Sequence, residues 1–100
     1  MESNTRYIEI LKNNKDLLQS QFAVSSLVVF GSVARNEITE QSDVDVFVQM
    51  PPKMVLVVGV KQYLESILHR SVDVVRDHPN LNQFLKQQIE KDGIKIFGEA

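Results

Sequence analysis

The spacing of hydrophobic positions changes several times along the chain, and each change marks an element. Ile8, Leu11, Leu18 and Phe22 recur at three- to four-residue steps or their multiples, with Lys15 at the remaining step. That period lines one face of a helix and predicts one over Tyr7–Phe22. Thr5 or Asn4 can cap it. Asn13-Asn14 is its weak point, because Asn side chains compete for backbone hydrogen bonds. Leu27-Val28-Val29-Phe30 is a short apolar run closed by Gly31, and it reads as a buried strand. Val44-Asp45-Val46-Phe47-Val48 is β-branched on one face and mixed on the other, so it reads as a second strand. Pro51-Pro52 stops it.

Met54–His69 carries both kinds of signal. Val55, Val57, Val58 and Val60 favour a strand by propensity, yet Val57, Val60, Leu64, Ile67 and Leu68 share one helical face. Lys61, Gln62, Glu65 and Ser66 occupy the opposite face, so the longer period prevails. The expectation is a helix with an irregular first turn, weakened by Gly59. Val72–Val75 reads as a third strand. Pro79-Asn80 opens a helix through Lys91, with Leu81, Leu85 and Ile89 every fourth residue and Gly93 at its end. Ile94–Phe97 reads as a closing strand. This order of elements predicts an α/β sheet covered by helices.

Composition narrows the function classes. One hundred residues suit a single domain, 1–100, with little room for a second. Hydrophobic residues at 43% and charged residues at 24% fit a globular chain. The absence of cysteine excludes disulfides, Cys-ligated zinc, iron–sulfur clusters and thiol nucleophiles. A net charge of -2 gives no electrostatic footprint for direct nucleic-acid binding. Met1-Glu2-Ser3-Asn4 lacks the basic and apolar regions of a signal peptide. No apolar run reaches the ~18 residues of a membrane span. The expectation is a soluble, cytoplasmic domain with no membrane attachment.

The candidate chemistry lies between Gly31 and Asp45. Gly31 ends a buried strand, where it lets the backbone turn and a ligand come close. Ser32 follows at the predicted start of a short helical turn, where unpaired N–H groups favour an anion and its hydroxyl can donate to a phosphate oxygen. Asp43 and Asp45 are two residues apart at the head of a strand, so period-two alternation points both carboxylates to one face. Such a pair repels itself unless a cation lies between, and magnesium commonly bridges one or two carboxylates to substrate phosphates. Asp73 starts a third short strand. If that strand neighbours the second, Asp73 faces the same ions, as a further ligand or as the base for an attacking hydroxyl. A phosphate cradle beside paired carboxylates is what phosphoryl or nucleotidyl transfer requires.

These residues also match a known pattern. Gly31-Ser32, ten residues, then Asp43-Val44-Asp45 resembles the signature of the DNA polymerase beta-like nucleotidyltransferase superfamily. By residue usage the pattern arises by chance in roughly one chain in a thousand of this length. Within that superfamily the short chain is similar to the minimal nucleotidyltransferase, or MNT, domain, and the resemblance spans nearly all of it. Val29–Arg35 resembles the first strand and loop, Ser42–Val48 the metal strand, Ser71–Val75 the third-carboxylate strand, and Leu85–Phe97 the closing helix and strand. The resemblance implies a small mixed sheet of about four strands flanked by helices. It implies Mg2+, as two ions, on Asp43, Asp45 and Asp73, and transfer of a nucleoside monophosphate, AMP from ATP, to a hydroxyl. Gly31 and Ser32 would hold the nucleotide. Arg35, whose planar fork suits phosphate, would hold a triphosphate oxygen or stand in solvent. Many MNT proteins are antitoxins paired with a HEPN-domain toxin, which implies adenylylation of a toxin tyrosine, or masking of the toxin by binding alone. Asn36 departs from the pattern, because glycine is frequent there.

Blander readings exist for several residues. Gly31-Ser32 alone is a turn with a helix cap, and Asp73 alone is an edge-strand carboxylate. His69 ends a helix and His78 precedes Pro79, with no spacing suited to zinc. Transfer to a small molecule or an RNA end is disfavoured by the missing helical module and the weak charge.

Overall fold

The computed structural model describes residues 3–98. Met1 and Glu2, part of the stretch weighed above as a possible signal, lie outside them. The elements run α1 (Thr5–Asn13), α2 (Lys15–Phe22), β1 (Ser26–Phe30), α3 (Gly31–Ala34), β2 (Val44–Gln49), α4 (Met54–Leu68), β3 (Val72–Arg76), α5 (Gln83–Asp92) and β4 (Ile94–Phe97). The four strands form one mixed sheet in the order β3-β2-β1-β4. β1 is antiparallel to β2 and to β4, whereas β2 and β3 are parallel, joined through α4.

Strand alternation divides the sheet into two unlike faces. Leu27 and Val29 of β1, Val44, Val46 and Val48 of β2 and Val72 of β3 point to one side and are at most 1% exposed. They join Tyr7, Leu11, Leu18, Val60, Leu64 and Leu68 from α1, α2 and α4 in the main core. The opposite face carries Phe30, Asp45, Phe47 and Asp73. There Phe47 and Ile89 of α5 are buried outside the main cluster. The Asp45–Asp73 end of that face stays more open, with Asp45 half-buried and Asp73 exposed.

Three expectations need correction. The single helix over 7–22 is two helices broken at Asn14. Asn14 Nδ2 donates to the Ile10 carbonyl at 2.8 Å, its N–H donates to Leu11 O, and its carbonyl accepts from Leu18 N. Its side-chain oxygen also accepts from Tyr63 Oη on α4. One Asn thus closes a helix and starts the next, the competition that makes Asn unfavourable mid-helix. Lys15 is exposed, and Tyr7, absent from the predicted stripe, is buried.

The last helix begins at Gln83 rather than at Pro79. Residues 78–82 form a turn held by Leu81 N–H to His78 O, and Asn82 Oδ1 caps the helix by accepting from Leu85 N. Gly59 has a packing role as well as a propensity cost. A Cβ there would stand 2.9 Å from the Phe22 ring, so the missing side chain lets α2 lie against α4.

Candidate active site

The two halves of the motif meet at the start of β2. Residues of β2 and β3 pair in register, with Asp45 beside Asp73, so both carboxylates leave adjacent strands on the same face. Neighbouring strands lie ~4.8 Å apart. Asp43 immediately precedes β2 and is exposed. Phe30, the last residue of β1, pairs with Asp45 across the antiparallel ladder, which delivers Gly31 to the Asp45 carboxylate. Gly31 has φ +73, and a Cβ there would lie 2.2 Å from Asp45 Oδ2. Only glycine satisfies both the dihedral and the contact.

Ser32 stands in the four-residue α3 and is partly exposed, with its carbonyl accepting from Glu37 N at 2.8 Å. The first N–H groups of such a turn have no intrahelical acceptor. Arg35 closes the turn and pairs loosely with Glu37, Nε to Oε1 at 3.5 Å. Its charge also reaches Asp45, whose proton affinity it lowers. Asn36 adopts φ +58, the conformation that explains why glycine is frequent at this place in the family pattern. Its side chain does more than tolerate that shape: Oδ1 accepts from Asn4 N at 2.9 Å. Asn4 Nδ2 in turn donates to Val33 O at 3.1 Å, so the predicted helix cap instead ties α1 to the turn that follows β1.

The electrostatics show convergence. The Asp45 carboxyl is pushed above its ordinary value by burial first, then by the charges of Asp73 and Asp43, against the opposing effect of Arg35. The charges of Asp43 and Asp73 thus both reach Asp45, and carboxylate oxygens are the donors a hard divalent cation takes. Among the described residues, however, no group of three or more His, Cys, Asp or Glu side chains is placed to hold a metal ion, so the expected three-carboxylate metal site is not formed as such. A cleft of about 500 Å³ lies between α1, the loop before β2 and the α4–β3 turn; Asp43 lines it, whereas Gly31, Ser32, Asp45 and Asp73 do not.

The polymerase beta nucleotidyltransferase family pattern matches residues 12–100. The chain belongs to that family. It is a nucleotidyltransferase with the polymerase beta-like fold. Several relatives are named protein adenylyltransferases. One of them, MJ0126 of Methanocaldococcus jannaschii, assigned that activity by name, is 34% identical over 98 residues, covering 96% of this chain and 100% of its own length. A crystal structure of a toxin–antitoxin with AMP-PNP superposes with TM-score 0.72 at 22% identity, covering 89% of this chain and 74% of that one. A tri-AMPylated HEPN toxin of Shewanella oneidensis in complex with its MNT antitoxin superposes with TM-score 0.65 at 21% identity, covering 92% and 73%. These two likenesses bear on the fold. Among the described residues no helix is long and apolar enough to cross a membrane.

Residue patterning pointed to the carboxylates but missed what holds them. Lys61 Nζ donates to Val72 O at 2.6 Å, and Glu65 Oε2 accepts from Val72 N at 3.0 Å and from Lys61 at 3.1 Å. Val72 immediately precedes Asp73, so this pair satisfies the outer edge of β3 where the third carboxylate begins. The i,i+4 spacing of Lys61 and Glu65 was visible as a polar helix face, but its target was not. Arg70 left no comparable trace in the sequence.

Proposed function

We propose that this chain is a protein adenylyltransferase that moves AMP from ATP to a hydroxyl, a tyrosine, of a partner HEPN-domain toxin, and so acts as its antitoxin in the cytoplasm. The pairing of Asp45 with Asp73, with Gly31 pressed against Asp45, carries the reading. The names of relatives support protein as acceptor, and the fold neighbours with an ATP analogue and with an AMPylated toxin support the nucleotide and the partner.

In this reading Ser32 Oγ and the amides of the turn after Gly31 hold the terminal phosphates, with Arg35 beside them. Asp43, Asp45 and Asp73 would hold two magnesium ions, which when bound offset phosphate charge and favour the ionised acceptor. Asp73, exposed on the edge strand, would also accept the proton of the incoming hydroxyl. The acceptor oxygen forms a bond to the α-phosphorus, the bond to the bridging oxygen breaks, and pyrophosphate leaves.

The test is label transfer from ATP carrying α-32P to the co-purified toxin in the presence of Mg2+. Label on the toxin, mapped to a tyrosine and abolished by Asp43→Asn with Asp45→Asn, is the expected result. Neutralisation of the toxin by that double variant, with no label transferred, would instead establish occlusion by binding.

A further inference from the structure

Arg70 joins the two chain segments that present Asp43 and Asp73. It follows His69, whose φ of +55 ends α4, and lies three residues before Asp73. Its Nε donates to Tyr7 Oη at 2.7 Å, and its Nη1 donates to Thr39 O at 2.9 Å and to Ser42 O at 2.8 Å. The guanidinium also stands 5.6 Å from the Tyr7 ring centroid. Tyr7 is 2% exposed, so the platform under Arg70 belongs to the core.

The segment Arg70 grips is a closed turn. Ser42 N–H donates to Thr39 O at 3.1 Å, Thr39 N–H donates to Ser42 Oγ at 2.9 Å, and Gln41 N–H donates to Thr39 Oγ1 at 3.3 Å. Those bonds make residues 39–42 move together, and Asp43 is the next residue. Among the described residues no hydrogen bond to the Asp43 carboxylate is present, so its place is set through the backbone. On one side Val44 N–H donates to Ser71 O at 2.9 Å, and on the other Arg70 holds Ser42 O.

We propose that Arg70 is a positioning residue, which sets where Asp43 stands relative to Asp45 and Asp73 by clamping the Thr39–Ser42 turn to the α4–β3 junction. The inference rests on the reading of these carboxylates as the metal–nucleotide site. The fork is suited to this work, because one planar group reaches a phenol and two carbonyls at fixed angles. A misplacement of about 1 Å in such a site can cost on the order of a hundredfold in rate.

The test uses Arg70→Met, which keeps the stem over Tyr7 and removes every donor. Hydrogen exchange of amides 39–43 should rise about tenfold or more, with those of Val29 and Val46 unchanged. Calorimetric binding of Mn2+ with AMP-PNP should weaken about tenfold in Arg70→Met and in Asp43→Asn, and the double variant should fall within about twofold of Asp43→Asn alone. Unchanged exchange in the turn overturns the proposal. So do additive losses in the double variant, or normal binding by Arg70→Met where Asp43→Asn weakens it. If Asp43→Asn itself binds normally, the metal–nucleotide reading has failed, and exchange alone decides whether Arg70 fixes the turn. Should Arg70→Met not fold, Tyr7→Phe removes the phenol oxygen that accepts from Arg70 Nε and should shift both measurements about threefold in the same direction. No change in either would overturn the clamp.

Discussion

Replacing Gly31 with alanine perturbs the chain in two separable ways. The first is conformational, because φ +73 at an L-residue costs roughly 1–2 kcal/mol. At about 4–8 °C per kcal/mol for a chain this size, the melting temperature should fall by roughly 4–16 °C. The second is positional. The new Cβ would start 2.2 Å from Asp45 Oδ2, which must retreat about 1.2 Å to reach an ordinary contact at 3.4 Å. A carboxylate at the end of a side chain can rotate away at little cost in stability, but it then leaves its place opposite Asp73. A shift of that size in a reacting site can cost about a hundredfold in rate. Gly31→Ala should therefore lose far more activity than stability. The comparison is Asn36→Ala, which also forces a side chain without Asn's local tolerance into φ +58 and removes the acceptor for Asn4 N–H. It should cost a similar ~1–2 kcal/mol with a much smaller rate loss, since no carboxylate stands against it. Thermal melts and initial rates of AMP transfer, measured side by side, decide the matter. Equal rate losses in the two variants would refute the claim that Gly31 acts through Asp45.

Other substitutions test the electrostatics and the core. The Asp45 carboxyl is raised above its unfolded value of 3.8, so its contribution to stability is fully present below that pH and is lost as pH rises through the folded value. Asp45→Asn should consequently be the more stable chain at pH 7 without ligand, yet gain less from Mg2+ and ATP than the wild type does. A less stable Asp45→Asn at pH 7 would contradict this. The Glu65 carboxyl is lowered from 4.5, first by the Val72 N–H and then by Lys61, so its contribution is present above that value and lost as pH falls through the folded one. Urea midpoints of wild type and Glu65→Gln should differ at pH 7 and converge in acid. Leu64→Ala empties a fully buried position between α4 and the sheet, and should cost ~2–5 kcal/mol in chemical denaturation.

The local code of this chain was legible wherever one physical signal dominated. Alternation in Val44–Val48 and Val72–Val75 marked strands without help from elsewhere. The valine-rich Met54–Leu68 segment showed that helical period outweighs β-propensity when a sheet is present to cover. Boundaries were less legible where polar side chains chose among backbone partners. Asn14 breaks a helix that periodicity ran straight through, and Asn82, not Pro79, starts the last one.

Chain order alone determined which residues could carry chemistry, because residue type and local period are properties of neighbours in sequence. Tertiary structure decided which of them meet. The register of two parallel strands set Asp45 beside Asp73, and the end of an antiparallel ladder brought Gly31 onto the carboxylate. The supports come from still farther away: Arg70 reaches Tyr7 across 63 residues, Tyr63 reaches Asn14 across 49, and Asn4 reaches Asn36 across 32. Hydrogen bonds over such separations depend on how the helices settle on the sheet, and no periodicity in the sequence encodes that distance.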